Sequence, residues 1–258
     1  MDKTSYIAVF DSGVGGVSVL RELMKLMPNE NFYYFGDSAN APYGLKTTNQ
    51  VWSLTVSAAR KLRDGLDAKA LVVACNTATA AAVHDLRSIW PEKIIIGIEP
   101  ALKTACDRFP GKKIGVMATP ATLREEKFAR LLERCGRQCQ VVKLPAAGLV
   151  ELVEAGKANS EESFALLEPL LKPYAGELSA VVLGCTHYPF AAPTVSRLLG
   201  EITLLLDGGE GTALHTRRRL EAAGLLRTEG EGEIIFENSL DCGETVALCR
   251  RLLMEVKP

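Results

Sequence analysis

The sequence predicts an α/β protein built from two pseudo-symmetric parallel-sheet domains, and three observations carry that prediction. Short apolar runs alternate with longer segments of helical composition along the whole chain, the pattern of strands and crossover helices. Several runs, such as LVVA at 71–74 and VVL at 181–183, are apolar at every position, as strands covered on both faces are. Segments also recur: IAVFDSGVGG (7–16) is echoed by IGVMATPAT (114–122), IIIGIEPA (94–101) by ITLLLDGG (202–209), and the run into Cys75 by the run into Cys185. The three offsets are 107, 108 and 110 residues, the mark of a duplicated half. The expected domains are residues 1–98 with 208–258, and residues 99–207. The tail lies outside the repeat and returns to complete the first half.

In chain order, IAVF (7–10) predicts the first strand, and DSGVGG (11–16) turns it into a helix over 17–27. FYYFGD (32–37) is the second strand, and SANAPYGLKT (38–47) is a loop by its Pro, Gly and Asn content. A helix over 48–65 precedes the strand ending at Ala74, and a helix then runs through about Trp90. The strand IIIGIE (94–99) closes this half. The second half opens with a helix, then a strand over 113–118, a loop holding Thr119 and Thr122, and a helix over 123–135. Strand 140–144 leads to PAAGLVELVEAG, where helical spacing sets Glu151 and Glu154 on adjacent turns. A helix over 160–175 precedes the Cys185 strand, and a strand over 202–206 follows. LDGGEGTALHTRRRL then makes a loop and a helix whose three adjacent arginines form a solvated face. The tail adds a strand near 233–237 and a helix over 243–256.

Composition narrows the function classes. With 258 residues, 47% hydrophobic and 24% charged, the chain is an ordinary globular protein, and its net charge of −1 offers no electrostatic lure for nucleic acid or anionic membrane. No apolar run reaches the roughly 18 residues of a membrane span, and the early first strand leaves no room for a signal peptide. The expected location is cytoplasmic. Seven cysteines form no CxxC pair, so a metal site is not expected, and Cys106, Cys135, Cys139, Cys242 and Cys249 read as reduced and structural.

Chemistry concentrates where strands hand over to helices, the carboxyl edge at which open α/β sheets bind ligands. Cys75 stands there, followed by Asn76, Thr77 and an Ala-rich helix whose amino terminus favours a thiolate. A lone cysteine of this kind is more simply a buried core residue. The matched Cys185 alters the balance, because two facing halves bring two thiols to opposite walls of one cleft. Such a pair suits removal of an α-proton from one face of an amino acid and its return from the other. Asp11 is placed to exchange a proton with Cys75, and His187 to do the same for Cys185. Ser12, Asn76, Thr77 and Thr186 offer amides and hydroxyls for carboxylate or ammonium groups. A dinucleotide loop at 11–16, for which Asp37 at the end of the second strand would speak, is the rival for the first turn. It fails because GxGxxG from Gly13 requires glycine where Ser18 stands, and because Asp11 occupies the pyrophosphate position. No cofactor is expected. A Cys/His acyl-transfer enzyme, or an amino-acid-binding protein without catalysis, are readings of other classes, and both leave a thiol idle. His84 reads as a surface or packing residue.

The segments FDSGVGG, GDSANAPYG, VVACNTATA and LGCTHYPF resemble those of the glutamate racemases, cofactor-independent enzymes of bacterial cell-wall synthesis, over nearly the whole chain. The resemblance implies two domains related by a pseudo-twofold axis with glutamate between them, and a role in supplying D-glutamate for peptidoglycan. It implies Cys75 and Cys185 as the acid/base pair. It further implies Asp11 and Ser12, Pro42, Tyr43 and Gly44, Asn76 and Thr77, and Thr186 and His187 as site residues. A family threonine pair falls on Thr119 and Thr122. A family glutamate falls on Glu154, with Glu151 in the same VELVE segment as its competitor. An aspartate or other amino-acid racemase of the same superfamily would share both cysteines. The partner expected is a small amino acid, and a homodimer is compatible with this reading.

Overall fold

The computed structural model describes residues 2–66, 68–98, 100–124, 126–136, 138–240 and 242–254. The chain runs β1 (Ile7–Asp11), α1 (Val17–Leu26), β2 (Phe32–Gly36), α2 (Thr48–Gly65), β3 (Ala70–Val73), α3 (Asn76–Ile89) and β4 (Ile94–Gly97). It continues α4 (Leu102–Arg108), β5 (Lys113–Ala118), α5 (Pro120–Arg124), α6 (Glu126–Cys135), β6 (Gln140–Pro145), α7 (Leu149–Glu154), α8 (Glu161–Leu171), β7 (Ala180–Leu183), α9 (Ala192–Leu199) and β8 (Leu204–Asp207). Helix α10 (Gly209–Ala222), β9 (Ile234–Asn238) and α11 (Gly243–Met254) follow. Two compact units result, Met1–Glu99 with Gly209–Glu255, and Pro100–Gly208.

Each unit holds one sheet in which every neighbouring pair is parallel. The first sheet has the order β4-β3-β1-β2-β9. The second has the order β6-β5-β7-β8. Matching β1 to β5, β2 to β6, β3 to β7 and β4 to β8 makes the two orders the same, with β9 as the one addition. Three of these four pairs, β1 with β5, β3 with β7 and β4 with β8, are those that the repeated segments matched by sequence. In both sheets the chain steps to one side of its first strand and crosses back to the other. The order therefore reverses between β1 and β3, and again between β5 and β7. A crevice at the carboxyl ends of such a strand pair is where doubly wound sheets take their ligands.

The inner strands β1, β3 and β7 are buried along their whole length because helices cover both faces of the sheets. In the first unit Ala8, Phe10, Leu71, Val73 and Ile95 face one way, into a core closed by Val51, Ala59 and Leu62 of α2 and Ala82 and Leu86 of α3. Helix α1 packs against α10 and α11, elements from the far end of the chain. In the second unit Met117, Val181 and Leu183 pack toward α7, α8 and α9, while Ile114, Val116, Ala180 and Val182 pack toward α4 and α6. Fully burying one such side chain contributes about 1.5–3 kcal/mol, so sheet faces dominate the stability. At the amino edge of the first sheet, Lys69 and Glu30 form an ion pair with both side chains 0% exposed. Lys69 Nζ also donates to the carbonyls of Lys3 (2.6 Å) and Leu225 (3.1 Å), and Glu30 accepts from the Arg227 amide (2.9 Å).

Several expectations need correction. Cys106 and Cys139 are not reduced: they form a disulfide, with Cα atoms 5.6 Å apart. Both lie in the buried cluster beneath α4 and α6, where folding brings together residues 33 apart in sequence. Cys135, Cys242 and Cys249 are not disulfide-bonded. Thr122 is not in a loop, because Pro120 opens α5 at the first helical turn, where proline's fixed φ is an advantage. The last strand of the second unit begins at Leu204 rather than 202, and Ile202 is an exposed turn residue. The segment 38–47 holds two 3-10 turns, Ser38–Asn40 and Tyr43–Leu45. The helix expected over 160–175 gives way at Leu171 to a 3-10 turn over Lys172–Tyr174. Glu99, the expected end of the fourth strand, lies outside the described residues, as do 255 and 256 at the end of the tail helix.

Candidate active site

In the first unit the reversal point is built from the ends of β1 and β3. Asp11 is the last residue of β1 and is 0% exposed. Its Oδ1 accepts from the Gly13 amide at 3.0 Å, while the Gly13 carbonyl accepts from the Tyr34 hydroxyl at 2.6 Å. This turn needs glycine at 16, where a Cβ would sit 2.5 Å from that of Asp11. Cys75 caps α3, its sulfur accepting from the Ala78 amide at 3.4 Å. A sulfur in that position lies against the positive end of the helix. Ser12, Asn76 and Thr77 are buried beside these groups on the same edge. Asn76, 8% exposed, keeps a buried Oδ1 with no hydrogen-bond partner among the described residues. Buried amide oxygens ordinarily find a donor, so this one suits a ligand N–H.

Tyr43 and Gly44 are buried and Pro42 half-buried in the segment after β2. The Tyr43 ring lies 6.4 Å from that of Phe10 on β1, and its hydroxyl donates to Asp37 Oδ2 at 2.7 Å. Burial, then the hydrogen bond to Asp37 and the negative groups of Asp37, Cys75 and Asp11, push the Tyr43 phenol well above its usual range. Asn40 also bonds both oxygens of Asp37, at 3.0 and 3.1 Å.

In the second unit the matching point joins the ends of β5 and β7. Thr119 and Thr122 are buried, with hydroxyl oxygens 3.0 Å apart, and the Thr119 hydroxyl accepts the Thr122 amide at 3.2 Å. Gly184 lets the chain pass close to the end of β5, since a Cβ there would lie 2.9 Å from the Met117 carbonyl. Half-buried Cys185 and buried Thr186 follow. Cys185 Sγ lies 3.7 Å from His187 Nδ1, and His187 Nε2 lies 2.6 Å from Glu154 Oε1. Burial works against a charged imidazole here. Hydrogen bonds to Cys185 and to the Glu154 carboxylate outweigh it, and the His187 pKa stands well above its ordinary value. Glu151 is exposed on the first turn of the same helix. The geometry therefore brings Glu154, and not Glu151, to the histidine.

Within its unit each expected residue lies at the reversal point or on a segment bonded to it. His84 is exposed, and Arg217 pairs with Glu221 on an open face. Sequence reasoning missed Asp37 as the anchor of Tyr43. Its signal was a carboxylate closing a strand three residues before an asparagine, the spacing of a local turn. Among the described residues no group of three or more His, Cys, Asp or Glu is placed to hold a metal ion.

Comparison with known proteins extends these observations. Residues 15–216 match the model of the Asp/Glu/Hydantoin racemase family. The chain is 46% identical over 256 residues to a glutamate racemase of Clostridium botulinum, covering 98% of this chain and 99% of the relative. It is similar to the crystal structure of glutamate racemase from Francisella tularensis in complex with D-glutamate, at TM-score 0.84 and 26% identity over 99% of this chain and 96% of that one. It is similar also to Escherichia coli glutamate racemase in complex with L-glutamate and the activator UDP-MurNAc-ala, at TM-score 0.84 and 29% identity over 96% and 95%.

Proposed function

The chain belongs to the Asp/Glu/Hydantoin racemase family, and on that premise we propose that it interconverts L- and D-glutamate by proton transfer between two cysteines. The observation that carries this reading is the placing of Cys75 and Cys185 after equivalent strands of two sheets with the same order. Cys185 as thiolate takes the α-proton of L-glutamate, and the Cys75 thiol gives its own proton to the opposite face of the carbanion. The reverse transfers convert D-glutamate. Glu154 holds His187 against Cys185, and the ring nitrogen Nδ1 takes the thiol proton from that sulfur and returns it. Asp11, buried and anchored on the Gly13 amide, serves Cys75 in the corresponding way. The unpartnered Asn76 oxygen accepts from the substrate ammonium. Ser12, Thr77, Thr119, Thr122, Thr186 and the Pro42–Gly44 segment bind its carboxylates. Every step is a proton transfer, so the reaction draws on no cofactor. The resemblance to cell-wall enzymes supports a cytoplasmic role in furnishing D-glutamate for peptidoglycan.

Racemisation in deuterium oxide tests the reading. At early conversion the product carries deuterium at the α-carbon and the remaining substrate almost none, because the donating thiol is not the one that abstracted. Cys75→Ala and Cys185→Ala each lower the rate by about 100-fold or more in both directions, the ordinary weight of a general acid or base. Equal label in substrate and product from the start, or a Cys185→Ala variant that still racemises, would overturn the two-thiol scheme. Conversion of aspartate but not glutamate would overturn the substrate.

A further inference from the structure

The strand with no counterpart in the second sheet ends against the segment that carries Pro42, Tyr43 and Gly44. Asn238, the last residue of β9, is buried, and its Nδ2 donates to the Ser38 hydroxyl at 2.9 Å. Its Oδ1 accepts the Leu240 amide at 3.0 Å, which fixes the side-chain amide in orientation. The next residue completes the clasp: the Ser239 hydroxyl accepts the Ala39 amide at 2.9 Å, and the Ser239 amide donates to the Gly36 carbonyl at 2.9 Å. Gly36 is squeezed between two turns. A Cβ there would lie 2.5 Å from the Gly13 carbonyl and 2.9 Å from Asn238 Nδ2. Residues 11–13, 36–39 and 238–239 thus form one bonded cluster, and the first of these includes Asp11 and Ser12.

We infer that Asn238 and Ser239 are positioning residues for substrate binding, latching the 38–44 segment so that Tyr43 and its neighbours are set before glutamate arrives. Resting on the proposed racemase activity, this assigns a role to the tail strand that neither cysteine nor any residue touching the substrate supplies. The latch acts on the free enzyme, so its loss makes binding carry the cost of ordering the segment. The effect belongs in KM, with the proton-transfer groups untouched. Asn238 acts through Ser38, whereas Ser239 acts through the Ala39 amide, which sets up a test by coupling.

Steady-state racemisation of glutamate is measured for the wild type, Asn238→Ala, Ser38→Ala, Ser239→Ala and the Asn238→Ala/Ser38→Ala double variant, with a thermal melt of each. Losing one such bond is expected to raise KM roughly tenfold with kcat within about twofold, the size of a single hydrogen bond. The double variant is expected to be no worse than Asn238→Ala alone, since the bond to Ser38 is already lost in it. Hydrogen exchange at amides 39–45 quickens in all variants while the melts stay close together. Unchanged KM in both Asn238→Ala and Ser38→Ala overturns the latch, as does additivity of the pair. Should Asn238→Ala not fold, Ser38→Ala and Ser239→Ala decide the matter alone, and an unchanged KM in both overturns it. A wild type that does not racemise glutamate at all refutes the activity itself, a failure distinct from these.

Discussion

Glu154 shows how one carboxylate is chosen over its neighbour. Both glutamates of VELVE sit on α7, but 154 lies at the end that meets the buried ring of His187, and 151 points to water. Glu154→Gln leaves Cys185 alone to hold the imidazole pKa up, removing the carboxylate charge while keeping an oxygen in reach. It is expected to lower kcat/KM about 10- to 100-fold, or roughly 1.4–2.8 kcal/mol of transition-state stabilisation. The loss is the same from either enantiomer, because the two have equal free energy. Glu151→Gln is expected to leave the rate within about twofold; a polarimetric assay that ranks the two the other way refutes the assignment. The cysteines themselves were legible because an apolar run broken by Cys-Asn-Thr or Cys-Thr-His has few uses in a sheet. The choice between the glutamates was not, since it depends on which end of a helix meets a residue 33 positions away. The disulfide was illegible for a similar reason: nothing in the spacing of Cys106 and Cys139 sets them apart from five other thiols.

Strand β9 is held by side chains as well as by its ladder with β2. Glu237 takes hydrogen bonds from Tyr33 and Lys61, and Glu233 takes one from Tyr6. Burial and the bond to Glu237 push the Tyr33 phenol up to about 12. For Glu237, burial raises the pKa, but the bonds to Lys61 and Tyr33 prevail and hold it below the ordinary 4.5. A depressed carboxyl contributes stability that is present above the unfolded pKa and is lost as pH falls through the folded one. Docking of β9 is therefore expected to weaken as pH drops below about 4.5. In Glu237→Gln that slope is expected to flatten. Amide exchange of residues 234–238 between pH 3 and 6 checks this, and equal slopes in both proteins would refute it. Elements of this kind were legible where periodicity and punctuation agree, as in α2, whose Thr47 and Gln50 form a reciprocal capping box. At α5 the helix-starting proline was the signal, and the two threonines around it masked it as loop.

The first unit is discontinuous in sequence, and the Lys69–Glu30 pair stitches its two stretches together through Leu225 and Arg227. Desolvation lowers the Lys69 pKa, and Glu30 counters it. Lys69→Met leaves a carboxylate uncompensated in the interior and is expected to cost about 3–5 kcal/mol; Lys69→Met with Glu30→Leu is expected to recover most of that. Urea unfolding of the two variants checks it, and a neutral Lys69→Met would show that the pair is not a stitch. No sequence rule announces a buried lysine, because its partner and three carbonyl or amide neighbours converge only after folding. The two stretches also arrive at different times. Ser38 and Asn238 are 200 residues apart, so a ribosome adding 5–20 residues per second needs about 10–40 s between them. Until β9 is made the outer edge of β2 has no strand beside it, whereas every strand of the second sheet lies within residues 100–208 and has been made by then. The nascent chain is thus expected to complete its second sheet first, and during synthesis the bare edge of β2 is where chaperones would be needed.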